Sequence, residues 1–472
     1  MRTYFMGIGG TMMGHLALLA REMGDEVCGS DTALYPPMSE VLKDLEVYTG
    51  YSAERLEKIA PDLVVIGNAI SRGNPELEWF WDKKPFPFVS MPEFLQQRVL
   101  KGRQTMAICG THGKTTTTTL AAYLLKNNNK NPGWLIGGVP RDLPCGSRMG
   151  DNAAPFVIEG DEYDSAFFDK RAKFISYRPT IAVLNNLELD HLDIYRDMED
   201  LKRVFNHLLR TVPASGIVIA NADDQNLRAI LPVSWVKTLW VSAQGSPEAQ
   251  LHIKNYTESP QGSSFELVYK GKPWATVKWG IGGLFNARNA AMAAMAAGFS
   301  AHPEDPTKLD LSSLATCIGS KRRQEIRFES KELLVVEDFA HHPTAVELTL
   351  DSIRARFPGR KWIACLEPRS NTSRSNVHQR DYARSLSKAE AAVIAPVHHA
   401  ERIPVEKRLD LQRLAAELKA AGTQAYLVSS CGEIPELLKK VTRERSPAGV
   451  VFFSNGSFEG AMDKYIAGLS VL

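Results

Sequence analysis

The sequence predicts an α/β protein of three domains, with a doubly wound sheet at each end of the chain and a larger central domain between them. Three observations carry that prediction. Strand-length apolar runs alternate with helix-compatible runs along most of the chain, the pattern that crossover helices leave on parallel sheets. Two strand-to-helix junctions are rich in glycine, Gly7-Ile8-Gly9-Gly10 and Gly110-Thr111-His112-Gly113. The length of 472 residues is more than one hydrophobic core supports and points to roughly two to four domains.

Composition narrows the class of protein. Hydrophobic residues at 44% and charged residues at 23% are ordinary for a globular chain. With 56 basic against 54 acidic side chains the net charge is +2, so neither nucleic acid nor a membrane surface is an expected partner. No apolar run approaches the length of a membrane span. Met1 to Gly7 enters a strand without a signal-peptide core. Cys28, Cys109, Cys145, Cys317, Cys365 and Cys431 are scattered, with no C-x-x-C pair. Buried free thiols in a reducing cytoplasm are expected. Composition leaves the oligomeric state open.

In the first domain, Thr3 to Gly7 reads as a strand and Leu16 to Met23 as a helix. Glu26 to Gly29 is a second strand ending in Ser30-Asp31. This is a Rossmann-like βαβ start. Gly7, Gly9, Gly10 and Gly14 are candidates to hold a nucleotide's phosphates, and Asp31 to bond a ribose hydroxyl. A tight turn in any α/β domain explains the glycines equally well. Met12 stands where the third glycine of a dinucleotide fingerprint belongs, which argues against a dehydrogenase. A strand at Leu63 to Ile66, the turn-rich Gly67 to Pro75 and a strand at Phe86 to Val89 follow. The polar Lys101-Gly102-Arg103-Gln104 then marks a linker near 103.

The central domain opens on the strand Thr105 to Cys109, followed by Gly110-Thr111-His112-Gly113-Lys114-Thr115-Thr116 and a helix-compatible run from Thr117 to Lys126. This is a phosphate loop, with Ile108 where the longer pattern has its first glycine. Its backbone N–H groups and helix N-terminus suit phosphate oxygens. Lys114 would reach the β/γ-phosphates and the Thr115 hydroxyl would ligate Mg²⁺. The strand Phe156 to Ile158 ends in Glu159-Gly160-Asp161-Glu162-Tyr163-Asp164. The strand Ile181 to Leu184 ends in Asn185-Asn186-Leu187-Glu188-Leu189-Asp190-His191. Two acidic clusters at strand ends beside a phosphate loop are placed to hold Mg²⁺, although most such carboxylates are solvated loop charges. His191 reads equally as a core or a site residue. A helix from Met198 to Arg210 and a strand from Gly216 to Ala220 continue the pattern. Leu251 to Ile253, Phe265 to Tyr269 and Ala275 to Trp279 read as an antiparallel elaboration. Asn286 and Asn289 share a face at the start of an alanine-rich helix, where Asn286 could also be a simple N-cap.

The third domain follows Lys321-Arg322-Arg323. Strands at Leu333 to Val336, Trp362 to Leu366, Ala391 to Ala395, Ala425 to Val428 and Gly449 to Phe453 alternate with amphipathic helices. The strand ends carry Glu337-Asp338-Phe339-Ala340-His341-His342-Pro343-Thr344 and Glu367-Pro368-Arg369-Ser370-Asn371.

Taken together, these stretches resemble the Mur ligase family, ATP-dependent amide-forming enzymes. The resemblance covers the whole chain. It rests on the phosphate loop, Glu159, the stretch from Asn186 to His191, Asn286 with Asn289, Arg323, and Asp338 with His341-His342-Pro343-Thr344. It implies residues 1–103 as a UDP-sugar-binding Rossmann-like domain, 104–325 as an ATP-binding P-loop domain and 326–472 as a peptide-binding Rossmann-like domain. ATP and Mg²⁺ are the implied cofactors. Thr115, Glu159 and His191 are the implied metal ligands. Asn286 and Asn289 would contact the nucleotide, Arg323 its phosphates, and Asp338 would orient ATP. His342 would lie near the incoming amine. Gly7, Gly9, Gly10, Gly14, Asp31, Asn68 and Ser71 would serve the UDP-sugar. Arg369, Ser370 and Asn371 are candidates for the peptide's carboxylates from their strand-end position, with a structural ion pair as the competing role for Arg369.

Two members of the family share the Gly7-Ile8-Gly9-Gly10 opening and the His-His-Pro-Thr turn. One adds L-alanine to UDP-N-acetylmuramate. The other returns a recycled murein tripeptide, L-alanyl-γ-D-glutamyl-meso-diaminopimelate, to the same acceptor. Tyr35-Pro36-Pro37-Met38-Ser39, Gly67-Asn68-Ala69, Glu162 to Arg171, Asp338-Phe339-Ala340 and Glu367 to Thr372 look like the second. The expected activity is therefore tripeptide ligation through an acyl phosphate, in the cytoplasm, with alanine ligation as the alternative. A non-catalytic regulator binding ATP and a UDP-sugar is a third possibility, against which Lys114, Glu159 and His191 argue. Where several family members carry a carbamylated lysine, this chain has Asn206, which leaves the make-up of a second metal site open.

Overall fold

Five strands, β1 (Arg2–Met6), β2 (Glu26–Asp31), β3 (Glu46–Thr49), β4 (Leu63–Ile66) and β5 (Phe88–Ser90), pair in parallel in the order β3-β2-β1-β4-β5. The computed structural model describes residues 1–469. The inner strands β1 and β4 are apolar and buried, as strands covered on both faces must be. The order reverses between β1 and β4, so a crevice opens at their carboxyl ends. The Gly7–Gly10 turn lines one side of it and the loop after Ile66 the other. The helix Thr11–Glu22 begins earlier than the apolar run from Leu16 suggested. Met13, Leu16, Ala17 and Ala20 are all buried and already form the i, i+3, i+4, i+7 stripe that drives the helix onto the sheet.

The central sheet has ten strands in the order β17-β16-β15-β14-β13-β12-β6-β9-β7-β8. Its core is β6 (Thr105–Cys109), β7 (Gly133–Leu135), β9 (Phe156–Gly160), β12 (Ile181–Leu184), β13 (Ile217–Asn221) and β14 (Lys237–Ser242), paired in parallel. The short β8 (Ser147–Arg148) closes one edge against β7. At the other edge β15 (Leu251–Ser259), β16 (Gly262–Tyr269) and β17 (Lys272–Trp279) form the antiparallel extension the alternating runs predict. A separate hairpin, β10 (Asp164–Ala166) and β11 (Asp169–Ala172), leaves the sheet after β9. Its tip carries Phe167 and Phe168 against Trp81 of the first domain, with ring centroids 4.9 and 5.6 Å apart. These aromatic contacts tie the two domains together.

Because β6 lies between β12 and β9, the loops after all three strands converge on one spot. The helix Lys114–Asn127 leaves that spot and packs against Leu284–Ala301. The latter helix is buried from Asn286 to Phe299 except at Arg288. Its alanines let the two helix backbones approach closely.

The third sheet has the order β18-β19-β23-β20-β21-β22. All pairs are parallel except the edge strand β18 (Glu325–Glu329) on β19 (Leu333–Asp338). The other strands are β20 (Lys361–Leu366), β21 (Ala391–Ile394), β22 (Gln424–Leu427) and β23 (Ala448–Phe453). The sheet takes in Glu325, one residue earlier than the boundary expected from sequence. Apolar layers cover both faces.

The central and third domains are in contact in this arrangement. The Arg356 guanidinium donates to Gln324 Oε1 at 3.2 Å and to Gly280 O at 3.4 Å, and Ser352 donates to Glu258 at 2.8 Å. The backbone N–H of His191 meets Thr372 Oγ1 at 3.0 Å. Among the described residues no helix is long and apolar enough to cross a membrane. All six cysteines are free, and Cys145 alone is not fully buried.

Candidate active site

The phosphate loop is held open by its partners. Gly110 and Gly113 sit at φ +127° and +79°, where a β-carbon is strained. The Thr111 hydroxyl accepts from Glu188 N and donates to Glu188 O, both at 2.9 Å. Asn186 brackets His112, its Oδ1 accepting from His112 N at 2.7 Å and its Nδ2 donating to His112 O at 3.1 Å. The Asn185 amide donates to Thr117 at 2.9 Å. The β12 loop is thus the mould in which the phosphate loop is cast.

A β-carbon on Gly113 would lie 2.5 Å from Asn289 Oδ1. Gly113→Ala combines left-handed backbone strain of about 1–2 kcal/mol with a clash at the nucleotide face. A lower melting temperature and weaker nucleotide binding are expected, read by thermal denaturation with and without ATP.

Lys114 and His191 come together through Glu162, a residue the sequence did not single out. Lys114 Nζ donates to both oxygens of Glu162, at 2.7 and 2.9 Å. His191 Nε2 lies 3.5 Å from the same carboxylate. Glu162 is only 2% exposed, so this is a buried carboxylate between two cations. Burial alone would pull Lys114 down, but Glu162 and Asp161 hold it above its ordinary value. Burial also pulls on His191, yet the hydrogen bond and charge of Glu162, with Asp190, raise it to about 9. Burial opposes ionisation of Asp190 as well, and the charges of His191 and His341 hold it far below the usual carboxylate range.

The His191 pair therefore stabilises the Mg²⁺-free chain in full below about pH 6.5, the unfolded value for histidine. That contribution is lost as pH rises through about 9. His191→Gln is expected to flatten the fall in melting temperature between roughly pH 6.5 and 9. An unchanged fall would place the dependence on another group.

One step away, Thr115 Oγ1 donates to Glu159 Oε1 at 2.6 Å and Gly137 N donates to Glu159 Oε2 at 2.5 Å. Burial raises Glu159, while these two donors partly offset it. Thr116 is buried in the first turn of the helix. Asn286 is not the helix N-cap, a position Gly283 takes. Its amide instead donates to Gly282 O at 2.7 Å, and Asn289 donates to Asn286 Oδ1 at 3.4 Å.

Arg323 stands over the Phe339 ring at 4.9 Å. Burial lowers it, against the charges of Asp338 and Glu159. Asp338 accepts from Gln324 N at 2.8 Å and Ala340 N at 2.7 Å, and burial raises it. His342 caps the helix Pro343–Arg356 and faces His112 and Glu188 of the central domain. Burial, then the neighbouring His112, pushes it down. Against burial, the imidazoles of His112 and His342 hold Glu188 low.

One expectation needs correction, and the other predicted residues have the following surroundings. Gly14 is no part of the glycine turn. Its N–H is spent on Gly10 O at 2.8 Å inside the helix, and its missing side chain makes room for Met38 and Ile8 O. Asp31 has its Oδ2 taken by Gly9 N at 2.8 Å and its Oδ1 by Thr32 N at 2.7 Å, so it braces the turn. Gly7 takes φ +85° there. Gly10 is exposed, and Asn68 and Ser71 lie half-buried and exposed on the loop across the crevice. Ser370 is spent on a local turn, accepting from Ser373 N at 3.0 Å, and Asn371 pairs with Arg374. Of the three peptide candidates Arg369 keeps free donors, with Glu367 at 3.5 Å. Next to Asn206, which stands at the lysine-less position, Phe205 is buried against Phe174 with ring centroids 5.3 Å apart. Among the described residues no side chain of the helix Met198–Leu209 pairs with Lys114, Glu159, Glu162 or His191. Instead Asp161 takes Lys173 at 2.6 Å. The sequence marked Glu162 and Asp161 only as acids among several and Thr372 only as the end of a subgroup stretch, and nothing in it marked the Asp161–Lys173 pair.

Three family models match consecutive stretches of the chain. They are described as Mur ligase family, catalytic domain (residues 2–102), Mur ligase middle domain (108–297) and Mur ligase, glutamate ligase domain (322–456). The chain is 39% identical over 477 aligned residues to UDP-N-acetylmuramate–L-alanyl-γ-D-glutamyl-meso-2,6-diaminoheptandioate ligase of Escherichia coli, covering 100% of this chain and 98% of that one. Its structure is similar to that of a murein peptide ligase from Psychrobacter arcticus, with 34% identity, TM-score 0.72 and 100% and 99% of the two chains covered. The UDP-N-acetylmuramate–alanine ligase of Thermotoga maritima shares the fold at TM-score 0.79 and 21% identity, over 100% and 99% of the chains.

Proposed function

The chain belongs to the Mur ligase family, and from that premise we propose that it is an ATP-dependent ligase. It joins the amine of L-alanyl-γ-D-glutamyl-meso-diaminopimelate to the carboxylate of UDP-N-acetylmuramate. The observation that carries the chemistry is the convergence of Lys114, Thr115, Glu159, Glu162 and His191 at the ends of three adjacent strands. The peptide substrate is supported by the full-length likeness to the Escherichia coli ligase.

A carboxylate is a poor electrophile, and it repels a triphosphate. Lys114 is the mobile cation that answers this repulsion, since its ammonium can turn from Glu162 to a phosphate oxygen. The loop amides between Gly110 and Lys114 and the helix dipole behind them add fixed positive potential. Thr115 and Glu159 fit Mg²⁺, being two hard oxygens 2.6 Å apart at the foot of the loop. Bound there, the ion would neutralise charge shared between the phosphates and the attacking carboxylate. His191 is held protonated by Glu162, so it would join a metal site only after giving up that proton. Arg323, over Phe339 and near the charges of Asp338 and Glu159, is the proposed partner for phosphate charge. Asn289 and Asn286 border the loop from the alanine-rich helix. Phosphoryl transfer makes an acyl phosphate, the amine attacks its carbonyl carbon, and phosphate leaves. Arg369 is the proposed partner for a peptide carboxylate.

UDP-N-acetylmuramate carrying ¹⁸O in its carboxylate tests this route. One labelled oxygen is expected in the phosphate released. Unlabelled phosphate would rule the acyl phosphate out.

A further inference from the structure

His112, Glu188 and His342 come from three separate segments: the phosphate loop, the loop after β12, and the start of the helix Pro343–Arg356 in the third domain. One donor atom from each lies within 4.8 Å of the others. His112 Nε2 and His342 Nδ1 are each 3.4 Å from the same oxygen, Glu188 Oε2. Two metal–ligand bonds of about 2.0–2.1 Å meeting at the tetrahedral angle set their donor atoms about 3.3–3.4 Å apart. Both nitrogen-to-oxygen spacings match that edge. They are long for hydrogen bonds, which cluster near 2.9 Å, and among the described residues His112 Nε2 is buried without a hydrogen-bond partner. The His342 side chain is 6% exposed, while those of His112 and Glu188 are 22% and 30% exposed, so the cluster lies at the edge of the domain contact.

We propose that these three side chains form a site for a borderline divalent ion, with Zn²⁺ the best fit, separate from the Mg²⁺ position at Thr115 and Glu159. Two imidazole nitrogens and one carboxylate oxygen are the donor set of a three-ligand zinc site, with the fourth position left to water. Mg²⁺ prefers six oxygens in octahedral array and is poorly served here. The ion would take over His342 Nδ1, which now accepts only a 3.4 Å bond from Thr344 N. Its consequence is mechanical. Two ligands belong to the central domain and one to the third, so the bound ion pins the two domains together beside the phosphate loop.

The test uses the full-length protein with Mg²⁺ in excess, to fill the all-oxygen position, and Co²⁺ as a coloured probe. One equivalent of Co²⁺ is expected to bind with the visible absorption of a four-coordinate site, and Zn²⁺ should displace it. Glu188→Gln and His342→Gln should each weaken Co²⁺ binding by about 10-fold or more. X-ray absorption of the Zn²⁺-loaded wild-type protein covers the case of variants that fail to fold, and should show two nitrogens and one carboxylate oxygen from protein. The proposal is overturned by no Co²⁺ binding above the Mg²⁺ background, by an all-oxygen zinc shell, or by affinity unchanged in both variants. It is equally overturned if binding follows His398 and His399, the adjacent pair whose rings lie 4.1 Å apart.

Discussion

Lys114→Ala is expected to lower ligation by about 10³-fold at saturating substrates, the scale set by removing a preorganised charge from a reacting phosphoryl group. Lys114 is only 14% exposed, yet Glu162 and Asp161 hold it above its ordinary value against that partial burial. No other cationic side chain pairs with Glu162 among the described residues except His191. Alanine would leave Glu162 balanced by that single partner, and the approaching phosphate would meet a carboxylate with no lysine beside it. Extra Mg²⁺ should not restore the rate, because the missing charge is not the one Thr115 and Glu159 are proposed to hold. ADP release with UDP-N-acetylmuramate and the tripeptide reads the effect, alongside a melting curve that shows the variant folded. Full activity in a folded variant would remove Lys114 from the chemistry.

Glu159→Gln is expected to cost about 10²–10³-fold at fixed Mg²⁺, with a different signature. The amide keeps the shape of the carboxylate and can still accept from Gly137 N, at 2.5 Å in the native chain. The Thr115 hydroxyl can rotate to accept from the new NH₂ group. What would be lost is the negative charge proposed to balance a divalent ion. Part of the rate should therefore return as Mg²⁺ is raised. A Mg²⁺ titration identical to that of the native chain would assign Glu159 a structural role.

The strand, loop and helix around Lys114 were legible because the glycines, the lysine and the hydroxyl stand in one short stretch. The rule that ligands sit beyond carboxyl strand ends also pointed to the two stretches that contain Glu159 and His191, and the family resemblance then singled out those two residues. The order β12-β6-β9 that makes them neighbours could not be read, since no local pattern encodes which parallel strand pairs with which. For the same reason Glu162 was indistinguishable from the acids around it, although its carboxylate is the one that links Lys114 to His191. Gly14 misled because a glycine four residues beyond a turn looks like part of it. Only the packing of Met38 against that helix shows the other reason for having no side chain. The cluster of His112, Glu188 and His342 depends on the third domain resting on the central one, and residues so distant in sequence give no spacing signal at all.

The identity of the nucleophile is the claim on which the proposed function stands. It is measured by ADP release with ATP, Mg²⁺ and UDP-N-acetylmuramate held constant, adding L-alanine in one series and intact L-alanyl-γ-D-glutamyl-meso-diaminopimelate in the other. Turnover with the tripeptide and none above background with alanine is the expected result. Turnover with alanine alone would contradict it and make the chain an alanine-adding ligase on the same fold.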